Sequence, residues 1–123
     1  MRRRDLSRLT IDALVERFAA IGVAQDQVLF DGDTSKFSKL YWQMDAVSRE
    51  LKSRDGDQRR ALLRLYDHPN MQVRLKAAKH TLAVEPGVAR SKLKTIADSG
   101  WLPQSGDAGM SLSNLDRGVF KPT

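Results

Sequence analysis

Few residues in this chain are of types that do chemistry. There are two histidines, His68 and His80, and no cysteine among 123 residues. The lack of cysteine excludes a disulfide framework, a thiolate zinc site and a cysteine nucleophile together. His68 stands beside Pro69 in a turn, and His80 falls on the polar face of a helical segment. Neither has a second histidine at ligand spacing, and no His-Glu-x-x-His pattern occurs. Both therefore read as structural or solvated. Asp31 with Asp33, and Asp55 with Asp57, bracket glycines. Such pairs can touch a cation, but no calcium-loop pattern continues after either. Helix capping and turn formation account for them. No phosphate-binding Gly-x-x-x-x-Gly-Lys-Ser/Thr loop occurs, and the glycines between Gly100 and Gly109 are scattered through a loop. The sequence nominates no nucleophile with a base and an orienting group. The expectation is a protein that is not an enzyme and that takes no cofactor and no metal.

Two constellations suited to binding remain. The chain carries 21 Lys and Arg against 15 Asp and Glu, a net charge of +6. Residues 68–84 hold Arg74, Lys76 and Lys79 with no acid. Arg60, Arg64, Lys76 and Lys79, with Lys92 and Lys94, fall on polar faces of successive helical segments. Aligned, they would form a basic stripe for phosphates, with binding driven by counterion release. Solvation of helix faces is the simpler reading of the same residues. The second constellation is Trp42 with Asp45 and Arg49. An exposed Trp beside an Arg suits a protein contact. The simpler reading has Trp42 packing on a neighbouring helix, since Trp is mostly buried on average. Trp101 is expected to fill a gap between hairpins.

The elements that position these residues are helical. Ile11, Leu14, Val15, Phe18 and Ile21 recur at helical spacing over 10–30, with Thr10 as cap and Gly32 as left-handed stop. Phe37, Leu40, Tyr41, Met44, Val47 and Leu51 form the cleanest stripe, over 35–54, with Thr34 as cap and Trp42 off the stripe. A short helix over 58–66 turns Leu62, Leu65 and Tyr66 inward. The next spans 71–84, capped by Asn70. It places Val73, Ala77, Ala78 and Leu82 on one face and Lys76, Lys79 and His80 opposite. Arg74 falls inside the apolar arc and needs a partner, and Asp67 is the best-placed carboxylate. Further helices are expected over 86–99, starting on Pro86, and over 108–117, capped by Asp107. Phe120 in the tail is positioned to dock on the body.

No strand alternation occurs, so the fold is all-α: about six helices as stacked antiparallel hairpins. The basic residues 1–9 read as a flexible N-terminus and 10–123 as one domain. No apolar run long enough for a membrane span and no signal-like segment occur, which places the chain in the cytoplasm, away from membranes.

The segment from Asp67 through Pro69, Val73-Arg74 and Ala77-Ala78 resembles a HEAT or armadillo-like repeat. Across nearly its whole length the sequence is similar to a small bacterial family of uncharacterised HEAT-like proteins. The features are Phe37 to Tyr41, Glu50 to Arg54, Arg59 to Leu62, Val73-Arg74 to Ala78, Ala108-Gly109-Met110 and Lys121-Pro122-Thr123. The resemblance implies an α-α superhelix and no particular activity. Repeat hairpins present rigid, varied surfaces, so a small protein–protein interaction module or scaffold is the leading expectation, with self-association as a variant. A basic nucleic-acid-binding domain is the alternative.

Overall fold

The computed structural model describes residues 6–123. Among them are six helices and no strand. Helix α1 is Ile11–Asp31, α2 is Thr34–Ser53, a 3-10 helix covers Gln58–Leu65, α3 is Met71–His80, α4 is Pro86–Asp98 and α5 is Gln104–Asp116. The chain divides into two compact units, with the boundary between Ala61 and Leu62.

Local chemistry sets most of these boundaries. The Thr10 side chain accepts from the Ala13 amide at 3.1 Å and starts α1. Gly32, at φ 74°, ends it in the left-handed conformation that glycine adopts without strain. Asp33, not Thr34, caps α2: its carboxylate accepts from the Lys36 amide at 3.0 Å. A charged acceptor at this position also complements the helix dipole. Asn70 caps α3 as its sequence position implies, accepting from the Val73 amide at 3.2 Å.

In the first unit α1 packs on α2. Leu14, Val15, Phe18 and Ile21 are buried on α1, and Met44, Val47 and Leu51 on α2. Phe37 and Leu40 are only half-buried and Tyr41 is exposed, so the α2 stripe is buried toward its C-terminal end. Arg54 ties the start of the described chain to the end of α2. Its guanidinium donates to the carbonyls of Leu6 at 3.3 Å and Leu9 at 2.8 Å, while its Nε donates to Glu50 at 2.7 Å. Leu6 is fully buried. Of the N-terminal segment 1–9, residues 1–5 lie outside the described residues; the rest is held by these bonds.

In the second unit α4 packs on α5, and α3 contacts both. Leu75, Ala78, Leu82, Ala89, Leu93, Ile96 and Ala108 form its core. Each large side chain there contributes roughly 1.5–3 kcal/mol of burial. The alanines of α3 and α5 allow close backbone approach. Two boundaries differ from the sequence expectation. Helix α3 stops at His80, four residues short of 84. Thr81 is fully buried, its hydroxyl lies 2.6 Å from that of Tyr66, and it also reaches the Ala77 and Ala78 carbonyls. The backbone then turns, with the Val84 and Glu85 amides donating to the Thr81 carbonyl. Helix α5 starts at Gln104, four residues before 108, so Asp107 lies in its first turn and does not cap it.

Candidate functional site

Helix α2 turns its buried stripe inward and leaves an opposite face in solvent. At 100° per residue, Ser38, Trp42, Ala46, Arg49 and Ser53 fall along the middle of that face. Trp42 is 62% exposed, which corrects the expectation that it packs on a neighbouring helix. Its ring meets that of Tyr41 edge-on, with centroids 5.1 Å apart. This T-shaped arrangement is favourable for aromatic pairs and orients the indole. One turn further, Arg49 Nε donates to Asp45 at 2.8 Å. The three residues singled out in the sequence, Trp42, Asp45 and Arg49, therefore share one accessible surface. It combines a large amphipathic ring with a guanidinium held in place by a carboxylate.

A second polar arrangement lies between α3 and α5. Gln72, Lys76 and Lys79 follow one another at helical spacing on α3. Gln104, Asp107 and Ser111 do the same on α5. Gln104 Nε2 donates to Gln72 Oε1 at 3.0 Å, with both residues buried. Lys79 Nζ donates to Asp107 at 2.9 Å, and the Ser111 hydroxyl donates to the same carboxylate at 3.2 Å. Lys76 is 6% exposed. Burial, and secondarily the charge of Lys79, lower its pKa to about 8, against the opposing pull of Asp107. Burial by itself would raise the pKa of Asp107. The adjacent Lys79, with Lys76 and Ser111, holds it below the usual carboxylate value.

This seam corrects the expected basic stripe. Lys76 faces α5 and not solvent, and Lys79 is paired with a carboxylate. Arg60 and Arg64 are exposed, Arg60 donating to the Gly56 carbonyl at 3.1 Å. Lys94 pairs with Asp98 within α4 at 3.0 Å. The expected Arg74–Asp67 pair is likewise corrected. Arg74 Nε donates to the His68 carbonyl, while Asp67 is exposed. A backbone oxygen satisfies the partly buried guanidinium without a second buried charge. His68 accepts from the Asn70 amide at 3.0 Å and so braces the same turn. Trp101 is 63% exposed and fills no gap; its amide donates to the Ser99 hydroxyl and its carbonyl accepts from the Ser105 amide. Phe120 is half-exposed and lines a groove of about 460 Å³ with Leu82, Pro86 and Leu115.

The sequence missed the seam because the wheel of α3 assigned Lys76 and Lys79 to solvent. A signal existed: Gln104 and Asp107 repeat at i, i+3 opposite Gln72 and Lys79. Among the described residues, no group of three or more His, Asp or Glu is placed to hold a metal ion.

A family model described as a domain of unknown function, DUF2019, matches residues 12–116. The chain belongs to this family. The family assignment covers all of the helices but the start of α1, so both the α2 face and the α3–α5 seam lie within the matched domain. The chain is also similar to the crystal structure of the protein RPA1889 from Rhodopseudomonas palustris CGA009. The two are 52% identical with a TM-score of 0.93, over 96% of this chain and 98% of that one. No curated protein matches the chain. Both comparisons agree with the small, bacterial, uncharacterised family suggested by the sequence. Among the described residues, no helix is long and apolar enough to cross a membrane.

Proposed function

We propose that this DUF2019 domain is a small cytoplasmic protein-interaction module with no catalytic role of its own, and that its contact surface is the outer face of α2. The observation that carries the reading is the pairing of exposed Trp42 with the Asp45-anchored Arg49 on one rigid helix. Trp and Arg are the side chains most enriched where binding energy concentrates. An ion pair already formed in the free protein lowers the ordering cost of binding. The hairpin character is part of the same proposal. Helices α1 and α2 in one unit, and α4 and α5 in the other, form packed pairs of the kind that HEAT and armadillo repeats use to display surfaces.

The nucleic-acid reading has less support. It needed Lys76 and Lys79 on an open face, and one is buried while the other is neutralised by Asp107. Affinity capture of the tagged chain from its own cell lysate, with and without nuclease, tests the choice. The expected result is a protein that survives nuclease and moderate salt and is lost with Trp42→Ala. Recovery of nuclease-sensitive material that resists Trp42→Ala would move the function to the basic residues.

A further inference from the structure

The charges of the first unit are sorted by helix. Helix α1 carries Asp12, Glu16, Asp26 and Asp31 against the single cation Arg17. Helix α2 carries Lys36, Lys39, Arg49 and Lys52, all exposed, against Asp45 and Glu50. Both carboxylates of α2 are engaged within the chain: Asp45 holds Arg49 at 2.8 Å, and nearly buried Glu50 holds Arg54 at 2.7 Å. Lys39, Trp42, Arg49 and Lys52 follow one another at steps of three, seven and three residues. They fall within an arc of about 140° and over about 20 Å of helix axis. Exposed Trp42 therefore has a cation one turn before it and two more beyond it on the same side of α2. We infer that this face takes an acidic segment of another protein, which sets an apolar side chain on Trp42 and carboxylates against Lys39, Arg49 and Lys52. The inference rests on the reading of the α2 face as a protein contact and adds the chemistry of its occupant.

The surroundings of the stripe select a short acidic segment over a nucleic acid or an anionic membrane. Residues 6–61 hold nine acidic and nine basic side chains, so beyond a Debye length their attraction for a polyanion cancels. A segment confined to α2 meets the local excess of cations and not the carboxylates of α1. Asp45 stands within the face and would repel a continuous track of phosphates. Trp42 is the one aromatic on the stripe, which gives successive bases no ladder to stack on. Its neighbours along the face are Ser38, Ala46 and Ser53, too little apolar surface to enter a bilayer. Arg49 is held by Asp45 through Nε, and the edge between its two terminal nitrogens can grip a second carboxylate with parallel bonds. The spacing also orders the partner. One carboxylate belongs about 4.5 Å along the axis from the apolar residue, and two belong about 10 and 15 Å away on its other side.

The probe is a random library of phage-displayed peptides of about 16 residues, long enough as helices to follow the stripe, selected on the full chain. Enriched peptides should be acidic around an apolar anchor and should lose affinity as salt rises. Calorimetry with a synthetic copy of the leading peptide should show Trp42→Ala, Lys39→Glu and Arg49→Glu each weakening binding about tenfold or more. Lys121→Glu makes the same change of net charge as Lys39→Glu at an exposed position of the second unit, and should leave the affinity within about twofold. Changing to lysine the peptide carboxylate that faces Lys39 should restore binding to the Lys39→Glu chain. Circular dichroism checks that each variant keeps its helices. A selection that yields no binder, or only neutral and basic ones, overturns the inference. If those neutral binders are lost with Trp42→Ala, the α2 face still stands as a protein contact. Acidic binders that ignore Trp42→Ala, and weaken as much with Lys121→Glu as with Lys39→Glu, follow net charge alone and overturn both readings. A single-stranded oligonucleotide or a phosphatidylglycerol vesicle that binds through Trp42, where no peptide does, also overturns both and gives the face to phosphates.

Discussion

Replacing Lys76 by methionine should stabilise this protein at neutral pH, and the gain should vanish in alkali. Lys76 is 6% exposed and sits between α3 and α5, with Lys79 on its own helix and Asp107 opposite. Its pKa falls from 10.5 to about 8, chiefly because burial penalises the ammonium. That fall corresponds to roughly 3 kcal/mol. The folded pKa lies below the unfolded one, so between about pH 8 and 10.5 the unfolded chain holds a proton that the folded chain has released. Stability contributed by this group therefore rises with pH across that window, and below it the full cost is present. Methionine has similar length, no charge and a flexible stem that fills irregular space. Asp107 keeps Lys79 and Ser111 in the variant. Allowing for relaxation around the ammonium, Lys76→Met should gain about 1–3 kcal/mol at pH 7 and close to nothing at pH 10.5. Urea unfolding of both proteins at steps from pH 6.5 to 10.5, at constant ionic strength, reads the difference directly. Parallel pH profiles, separated by the same amount throughout, would show that Lys76 reaches water and would refute the argument.

Other substitutions test the remaining polar ties. Arg54→Ala should cost about 2–4 kcal/mol in urea unfolding, because it strips nearly buried Glu50 of its partner and frees the Leu6 and Leu9 carbonyls. Arg74→Ala should cost only about 1–2 kcal/mol, and Asp67→Asn less than about 0.5, since the lost bond is to the His68 carbonyl and not to a buried carboxylate. Tyr66→Phe should cost about 0.5–1.5 kcal/mol: the Thr81 hydroxyl keeps its bonds to the Ala77 and Ala78 carbonyls while losing the phenol.

The parts of the fold legible in the sequence were those decided by neighbours in the chain. Thr10, Gly32, Asn70, Pro86 and Gly100 mark helix ends because a cap or a left-handed residue acts within a few positions. Asp33 and Thr34 are both good caps, and only the reach of the Asp33 carboxylate to Lys36 separates them. What tertiary contact decides was not legible. Gly106 and Gly109 argue for a loop, yet α5 begins at Gln104, whose buried side chain is anchored to Gln72 on another helix. The 3-10 winding of Gln58–Leu65 has no pattern that distinguishes it from α-helix over so short a span. At the site, the grouping of Trp42, Asp45 and Arg49 followed from helical spacing. The exposure of Trp42 did not, because average burial of a residue type says nothing about one position.

The error at Lys76 has a general cause. An amphipathic wheel assumes one buried face, and α3 has more than one, since it contacts both α4 and α5. Val73, Leu75, Ala77 and Ala78 are buried on it, and so are Gln72 and Lys76. Polar residues on such a helix are tolerated only where a facing helix answers them, as Gln104 answers Gln72 and Asp107 answers Lys79. Apolar contact would serve α3–α5 packing more cheaply at Lys76, but it would also fit many alternative helix registers. The paired amides and the shared carboxylate fit one register, in which Gln72 meets Gln104 and Lys79 meets Asp107 together. On this view the lysine cost is a by-product of a seam that fixes how α5 seats on α3. Helix α2 has an exposed outer side, where Trp42 and the Asp45–Arg49 pair stand in solvent. The same residue types thus divide by whether a facing helix exists: answered internally on α3, presented outward on α2.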